Sequence, residues 1–170
     1  MKSAQQSPME KTITATELLL GCAPVTIQRR VKWGECDPAG VVYMVNYGEY
    51  VVSAYELLMA VLLDEGLLKG KARHGVALPA KEFGIEFYAS LRPDEDFLMT
   101  VEIADIRTRT FDLTVHGTSA ANGRVFLAKL TLIAVDPTTR TASPLPERLV
   151  HKLAHYREDR ALKSALMANV

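Results

Sequence analysis

One acidic residue, Asp37, stands in a setting that suits catalysis. It follows a predicted strand, and Pro38 and Gly40 come directly after it. Proline fixes the backbone beside the carboxylate, and glycine lets the chain approach a ligand closely. The first turn of the next predicted helix offers backbone N–H groups that could hold an oxyanion, while the carboxylate attacks a carbonyl or activates a water. The alternative is that the Asp-Pro pair simply shapes a turn.

The strand before Asp37 is predicted by strict alternation. The residues Val25, Ile27, Arg29, Val31 and Trp33 alternate with polar ones, which is the period of a strand with one buried face. The strand is expected to stop at Gly34.

The helix after Asp37 is predicted from about Tyr47 to Leu63. Asn46 is the expected N-cap, and Glu49, three residues on, completes an arrangement like a capping box. Apolar residues occur on nearly every side of this helix, so other elements must surround it.

Four more strands and a helix follow. A loop around Pro93 and the pair Asn122-Gly123 separate strands in a way that favours an antiparallel meander. One antiparallel sheet curled around the long helix is the simplest way to bury that helix. We therefore predict the α+β class: a curled sheet of about five strands, one long central helix and an additional C-terminal helix. The predicted ranges are 81–90, 97–107, 110–119 and 124–135 for the strands and 146–167 for the last helix.

Composition limits the classes of function. The 170 residues predict an extension (1–24), one main domain (25–145) and a C-terminal helix (146–170). Lys plus Arg and Asp plus Glu both number 20, so no general charge attracts nucleic acid or a membrane surface. No apolar run reaches the roughly 18 residues of a membrane span. Two cysteines, Cys22 and Cys36, fit a reducing compartment, so a cytoplasmic protein is expected. Exposed sheet edges favour pairing of subunits.

The run from Trp33 to Tyr43, Trp-Gly-Glu-Cys-Asp-Pro-Ala-Gly-Val-Val-Tyr, with Asn46-Tyr47 after it, closely resembles the signature of the 4-hydroxybenzoyl-CoA thioesterase family. The likeness extends over about 25–146, with the same order of elements. The resemblance implies the hotdog fold and hydrolysis of an acyl-CoA, with coenzyme A as part of the substrate and no metal or other cofactor. It also implies a homodimer or homotetramer with active sites at the subunit interface.

The resemblance assigns roles to individual residues. It makes Asp37 the nucleophile or general base, and it places the oxyanion donor at the backbone of Tyr43 or Met44. Gly40 and Asn46, in the same signature, are predicted to contact the substrate. One branch of the family has a histidine at the position of Met44. Here either the chemistry relies on the aspartate alone, as in the aromatic-acyl branch, or the activity is weaker.

Two arginines are candidates for the phosphates of coenzyme A. In the family a basic pair before a Ser/Thr-Phe strand start can hold these phosphates, and Arg107 and Arg109 precede Thr110-Phe111. Guanidinium groups bind phosphate through paired hydrogen bonds, and a neutral protein needs local positive charge for such a ligand. The alternative is an ordinary solvated hairpin.

Other assignments stay open. Glu49 is the second candidate for the base, because another hotdog branch uses a glutamate on the buried helix. Cys36 is expected to be structural, and the four histidines show no spacing typical of a metal site. A hotdog hydratase or dehydratase and a non-catalytic binder of acyl-CoA or acyl carrier are the alternatives to a thioesterase. No histidine enters the long helix, which counts against the hydratase.

Overall fold

One long helix lies in the concave face of an antiparallel sheet, which confirms the predicted hotdog arrangement. The computed structural model describes residues 16–64 and 66–168, with side chains at all of these except 67 and 160–168. A 3₁₀ turn, Trp33–Glu35, lies between the second strand and the long helix. The helices and strands are β1 (Glu17–Cys22), β2 (Val25–Arg30), α1 (Asn46–Leu63), α2 (Leu67–His74), β3 (Ala80–Phe87), β4 (Asp96–Ile106), β5 (Thr110–Ser119), β6 (Gly123–Ile133) and α3 (Glu147–Ala168).

The sheet contains six strands in the order β1-β2-β4-β5-β6-β3, and every neighbouring pair is antiparallel. Only β4, β5 and β6 form the predicted meander. The prediction that β3 precedes them in the same meander is wrong, because β3 pairs with β6 at the opposite edge. The segment between β3 and β4 crosses one end of the sheet. Its turn residues do not distinguish such a crossover from a simple hairpin.

Two further predictions are corrected next to β2. β1 occupies residues for which the sequence predicts no strand, because Leu19 and Leu20 are both exposed and break the alternation typical of a strand. Trp33 is not the last inward residue of β2. Its side chain is 83% exposed, since β2 ends at Arg30 and the chain then turns. Residues 1–15 of the predicted extension lie outside the described residues.

α1 is buried around most of its circumference, as its apolar sequence predicts. Its buried residues are Tyr47, Tyr50, Val51, Ala54, Tyr55, Leu58, Met59, Leu62 and Leu63. Asn46 is the first helical residue rather than the N-cap, which is Val45, and no side chain among the described residues caps the helix. The reason is a competing contact: the Asn46 amide Nδ2 donates to the carbonyl of Glu35 at 2.7 Å. Glu49 is exposed and forms no capping box.

α3 packs across β4 and the end of α1, which confirms the predicted C-terminal helix. Its own residues Leu149 and Leu153 are buried. Tyr156 is also buried, and its hydroxyl accepts a hydrogen bond from the N–H of Val25 at 2.7 Å and donates to the carbonyl of Val101 at 2.8 Å. This single hydroxyl joins α3 to a paired position of β2 and β4. Within the described ranges, no helix has both the length and the apolar character to cross a membrane.

Candidate functional site

Asp37 lies at the tip of a short hairpin between β2 and α1, formed by residues 36–42 and called the acidic hairpin below. Cys36 and Val42 pair across it as an antiparallel bridge. The N–H of Asp37 donates to the carbonyl of Val41 at 2.9 Å, and the N–H of Gly40 donates to the carbonyl of Asp37 at 2.9 Å. Gly40 has a φ of 76°, a conformation that residues with a side chain rarely adopt. The end of the sheet beside this hairpin is called the site end.

The carboxylate of Asp37 has one oxygen in use and one available. Oδ1 accepts a hydrogen bond from the N–H of Ala39 at 2.8 Å, which closes an Asx turn. No described residue donates to Oδ2, and the residue is half-buried. The turn interpretation and the catalytic interpretation are therefore compatible: the same carboxylate shapes the hairpin and keeps an oxygen free for chemistry.

The backbone N–H groups at the start of α1 differ in availability. The N–H of Tyr43 donates to the carbonyl of Glu35 at 3.0 Å and is occupied. The N–H of Met44 has no acceptor among the described residues, and Met44 is exposed. Of the two donors that the resemblance implies, Met44 is the free one, and the dipole of α1 adds positive potential beside it.

The acidic hairpin lies over the segment that crosses from β3 to β4. The N–H of Val42 donates to the carbonyl of Leu91 at 2.9 Å, and the N–H of Leu91 points to the hydroxyl of Tyr47 at 3.4 Å. A pocket of about 320 Å³ opens beside this contact. Most of its lining residues are aromatic or aliphatic, but the surface that they expose to the pocket is at least as polar as it is apolar. The lining residues are Val42, Met44, Tyr47, Phe87, Tyr88, Ala89 and Ser90.

Three polar residues that the sequence does not single out lie directly behind the acidic hairpin: Arg29, Glu35 and Tyr50. Arg29 Nη2 donates to Glu35 Oε1 at 2.6 Å. The hydroxyl of Tyr50 donates to Glu35 Oε2 at 2.7 Å, and the N–H of Lys32 donates to the same oxygen at 2.9 Å. The carboxylate of Glu35 therefore accepts from β2, from α1 and from the 3₁₀ turn.

Burial and hydrogen bonding act in opposite directions on these groups. Burial raises the pKa of Glu35, but the donors Lys32, Tyr50 and Arg29 outweigh it and hold the pKa below its ordinary value. Burial lowers the pKa of Arg29, yet hydrogen bonds to Glu17 and Glu35 outweigh that effect and raise it. Burial first, and then Glu35, raise the pKa of Tyr50, so its hydroxyl stays a donor. Arg29 and Glu35 thus remain charged although they are only 12% and 16% exposed.

Arg29 has two further contacts. It pairs with Glu17 of β1, whose other oxygen accepts from the hydroxyl of Ser53 at 2.6 Å. Its guanidinium also lies 4.4 Å from the centre of the Tyr50 ring. One signal in the sequence could have revealed this network: Arg29 occupies an inward position of β2, and a charge on an apolar face requires a partner.

The two predicted phosphate ligands lie at the other end of the sheet. Arg30, the last residue of β2, pairs with Asp96, the first residue of β4. β4 therefore starts at the site end, and its last residue, Ile106, lies about 30 Å away. Arg107 and Arg109 follow it, at what is called the far end below. Within one chain the structure does not bring them to Asp37.

These two arginines differ in their contacts. Arg107 donates to Asp105 at 2.8 Å, to Asp112 at 2.6 and 2.9 Å and to Thr110 at 2.8 Å. No described residue pairs with the side chain of Arg109, which is exposed. Arg109 is therefore the more available of the two for an anionic ligand.

The chain can be placed in a family. The model of the thioesterase-like superfamily matches residues 31–153, a range that begins at the end of β2 and includes the acidic hairpin, α1 and the four following strands. The chain belongs to the thioesterase-like superfamily. This membership confirms the predicted family and the predicted enzyme class, a thioester hydrolase.

Individual relatives agree with this placement. A 1,4-dihydroxy-2-naphthoyl-CoA hydrolase of Thermosynechococcus vestitus is 28% identical over 122 residues, which cover 72% of this chain and 83% of the relative. The acyl-CoA thioester hydrolase YbgC of Escherichia coli is 27% identical over 123 residues, which cover 71% and 89%. Among solved structures, SAV2348 of Staphylococcus aureus, in complex with CoA, aligns with a TM-score of 0.74 at 16% identity over 86% and 89% of the two chains. That likeness shows the shared fold.

The structure also bears on the remaining candidates for a nucleophile, a base and a metal ligand. Cys36 has a pKa raised by burial and by the charges of Glu35 and Asp37, so its thiol is a poor nucleophile. Glu49 is exposed in the first turn of α1 and stays the second candidate for the base. Within the described part of the chain, no three histidine, cysteine or acidic side chains are placed to hold a metal ion.

Proposed function

We propose that this chain hydrolyses an acyl-CoA thioester to a free acid and coenzyme A, with Asp37 as the reacting carboxylate and without a metal or other cofactor. One observation carries the proposal: Asp37 keeps a free oxygen at the tip of a fixed hairpin, and the free N–H of Met44 lies at the start of α1 after the same hairpin. The relatives named above for CoA thioesters support the substrate class.

In this mechanism the thioester carbonyl oxygen accepts a hydrogen bond from the N–H of Met44, which stabilises negative charge as it develops. Asp37 can attack the carbonyl carbon, so that CoA leaves as a thiolate and an anhydride forms, which water then hydrolyses. Alternatively, Asp37 takes a proton from water, and the resulting hydroxide attacks the carbonyl and expels CoA. Gly40 and Asn46 are proposed to contact the substrate in both routes.

The pocket beside Met44 is proposed to receive the acyl group. Phe87 and Tyr47 meet edge to face there with ring centres 5.0 Å apart, and Tyr88 adds a third aromatic ring. These rings favour an aromatic or medium-length acyl group over a charged one.

The working form is proposed to be a homodimer or a pair of dimers. β3 is an edge strand exposed along nearly its whole length, with Phe83 and Phe87 both about half exposed. An open, apolar edge of this kind is stabilised by pairing with a second copy. If two β3 strands pair antiparallel, the start of one lies beside the end of the other. The far end of one subunit then approaches the site end of its partner, which would bring the partner's Arg109 towards the CoA phosphates.

The test compares Asp37→Asn with Glu49→Gln on a panel of aryl, short-chain and long-chain acyl-CoAs, with release of the CoA thiol as the signal. We expect Asp37→Asn to lower kcat by about 10²–10⁴-fold while the oligomer stays intact, because the reacting group is removed. Glu49→Gln should keep its activity. Full activity of Asp37→Asn would remove Asp37 from the mechanism, and the opposite ranking would assign the base to Glu49. Water addition to a 2-enoyl-CoA, or tight CoA binding without thiol release from any panel member, would favour the hydratase or the binding protein.

Single-turnover reaction in ¹⁸O-labelled water separates the two routes. Direct attack places solvent oxygen in the carboxylate of Asp37 when the anhydride is hydrolysed at that carbonyl. General-base action leaves Asp37 unlabelled. Mass spectrometry of the peptide that contains Asp37 distinguishes the two outcomes.

A further inference from the structure

We propose that Glu35, held by Arg29 and Tyr50, is a positioning residue that sets the geometry of the acidic hairpin for the reaction. The inference rests on the proposed hydrolysis at Asp37. Glu35 lies within the signature run, but the resemblance assigns no role to it, to Arg29 or to Tyr50.

The backbone of Glu35 connects the two arms of the hairpin. Its carbonyl oxygen accepts hydrogen bonds from the N–H of Tyr43 at 3.0 Å and from Asn46 Nδ2 at 2.7 Å. One carbonyl thus fixes both the exit of the second arm and the first residue of α1. Because Asp37 follows Glu35 by two residues and Met44 follows Tyr43 directly, a shift of Glu35 changes the position of the carboxylate relative to the free N–H.

The side chain of Glu35 holds that backbone in place. Its carboxylate accepts hydrogen bonds from Arg29, Tyr50 and the N–H of Lys32 and is only 16% exposed. Tyr50 is four residues after Asn46, so both side chains extend from one face of α1 and grip Glu35 at its carboxylate and its carbonyl. Arg29 of β2 donates to the carboxylate as well. Glu35 is therefore the point where the strand, the hairpin and the helix are tied together.

Stability alone is a poor explanation for this network. Arg29 with Glu17 and Glu35 leaves one net negative charge among partly buried groups, and no described residue accepts a hydrogen bond from Arg29 Nε. Apolar residues of similar size often replace such ion pairs without loss of stability. The network has a larger effect on the reaction than on stability if it fixes the separation of the carboxylate and the N–H donor. Misplacement by about 1 Å can cost about 100-fold in rate.

The kinetic test uses Glu35→Gln and the milder Tyr50→Phe, which removes one donor and keeps the ring. Two adjacent arginines of β2 give a matched comparison: Arg29→Gln acts on the network, whereas Arg30→Gln removes an arginine paired with Asp96. We expect kcat to fall about 10–100-fold in Glu35→Gln and Arg29→Gln and about 3–10-fold in Tyr50→Phe, with KM for acyl-CoA within about two-fold of wild type. Arg30→Gln should match wild type. Unchanged kcat in both Glu35→Gln and Tyr50→Phe overturns the proposal, and so does an equal loss in Arg30→Gln.

A second measurement does not depend on the substrate. Amide hydrogen exchange followed by NMR reports the hydrogen bonds of Asp37 and Tyr43 directly. In Tyr50→Phe these two amides should exchange at least about tenfold faster, while the amides of β5 keep their wild-type protection. Unchanged exchange at both amides overturns the positioning role. If wild type hydrolyses no acyl-CoA, the proposed function fails, whereas the exchange result still decides whether Glu35 sets the hairpin.

Discussion

The two ends of the sheet use their charged residues in opposite ways. At the site end, Arg29 and Glu35 are 12% and 16% exposed, and their contacts join β1, β2, the 3₁₀ turn before the hairpin and α1. At the far end, Arg107 is 45% exposed and pairs with Asp105 and Asp112, both within five residues of it. The far-end pairs organise one turn, whereas the site-end pairs fix how separate elements meet. Position in the fold, rather than the number of ion pairs, decides what such charges can do.

The largest difference between the two ends should appear in stability. Arg29→Met leaves Glu17 and Glu35 without their cation in a partly buried place, so we expect a loss of about 3 kcal/mol in the free energy of unfolding. Arg107→Met should leave the urea midpoint close to wild type, because solvent already screens its pairs. Urea unfolding of both variants, followed by circular dichroism, makes the comparison. Equal shifts of the two midpoints would contradict the contrast.

Packing behind the site end gives the next effect. A methyl group at Gly117 would collide with the ring of Phe126, which meets Tyr47 edge-on at 5.4 Å in the first turn of α1. We expect Gly117→Ala to cost about 1–3 kcal/mol, since a packed core does not accept extra volume. Gly48→Ala, in the first turn of α1, has nothing within 4 Å of its new methyl and should be neutral or slightly stabilising. Thermal unfolding of both variants measures the difference, and a neutral Gly117→Ala would show that this core is looser than its contacts indicate.

The pH dependence of stability should also differ between the ends. The pKa of Glu35 is below its ordinary value because the donors Lys32, Tyr50 and Arg29 outweigh burial. A carboxyl group with a lowered pKa stabilises the folded state above its unfolded pKa, and this contribution is lost as the pH falls through the folded value.

The free energy of unfolding of wild type should therefore decrease below about pH 4.3, and less steeply in Glu35→Gln. Asp112→Asn should change this slope less: Arg107 lowers the pKa of Asp112 too, but this pair is more exposed. Urea titrations between about pH 6 and pH 3 measure the slopes. A slope in Glu35→Gln equal to that of wild type would exclude Glu35 as the titrating group.

The smallest effect concerns the far end itself. Arg109 is exposed and pairs with no described side chain, whereas Arg107 is already held by two carboxylates. We expect Arg109→Gln to raise KM for acyl-CoA about 3–10-fold with kcat unchanged, as loss of one phosphate contact would. Arg107→Gln should raise KM less. Steady-state kinetics at low and high salt test this order, and the reverse order would make Arg107 the phosphate ligand.

The parts of the molecule that the sequence predicts are those with strong local patterns. The strict alternation in β2, the apolar α1 and the Asn122-Gly123 turn gave the sheet and its central helix, and the motif around Asp37 gave the family. β1 was missed because an exposed edge strand has no alternation to detect. The pairing of β3 with β6 was missed because a crossover depends on contacts far apart in sequence.

The predicted site residues Asp37, Gly40, Tyr43, Met44 and Asn46 all lie in one short segment between β2 and the first turn of α1, so a sequence motif can select them. Their roles in the reaction stay predictions. Which backbone N–H is free could not be predicted, because that depends on a carbonyl eight residues upstream. The partners behind the hairpin come from separate elements, so only the inward position of a charged residue in β2 gave any hint of them.

The position of Tyr156 near the end of the chain has a consequence for folding during synthesis. The hydroxyl of Tyr156 accepts a hydrogen bond from a residue 131 positions earlier and donates to one 55 positions earlier. A nascent chain on the ribosome therefore exposes β2 and β4 long before α3 can close over them. During that interval the apolar surface of the sheet that α3 later covers is exposed to solvent and can aggregate. A chaperone that binds this surface should therefore raise the yield of this enzyme.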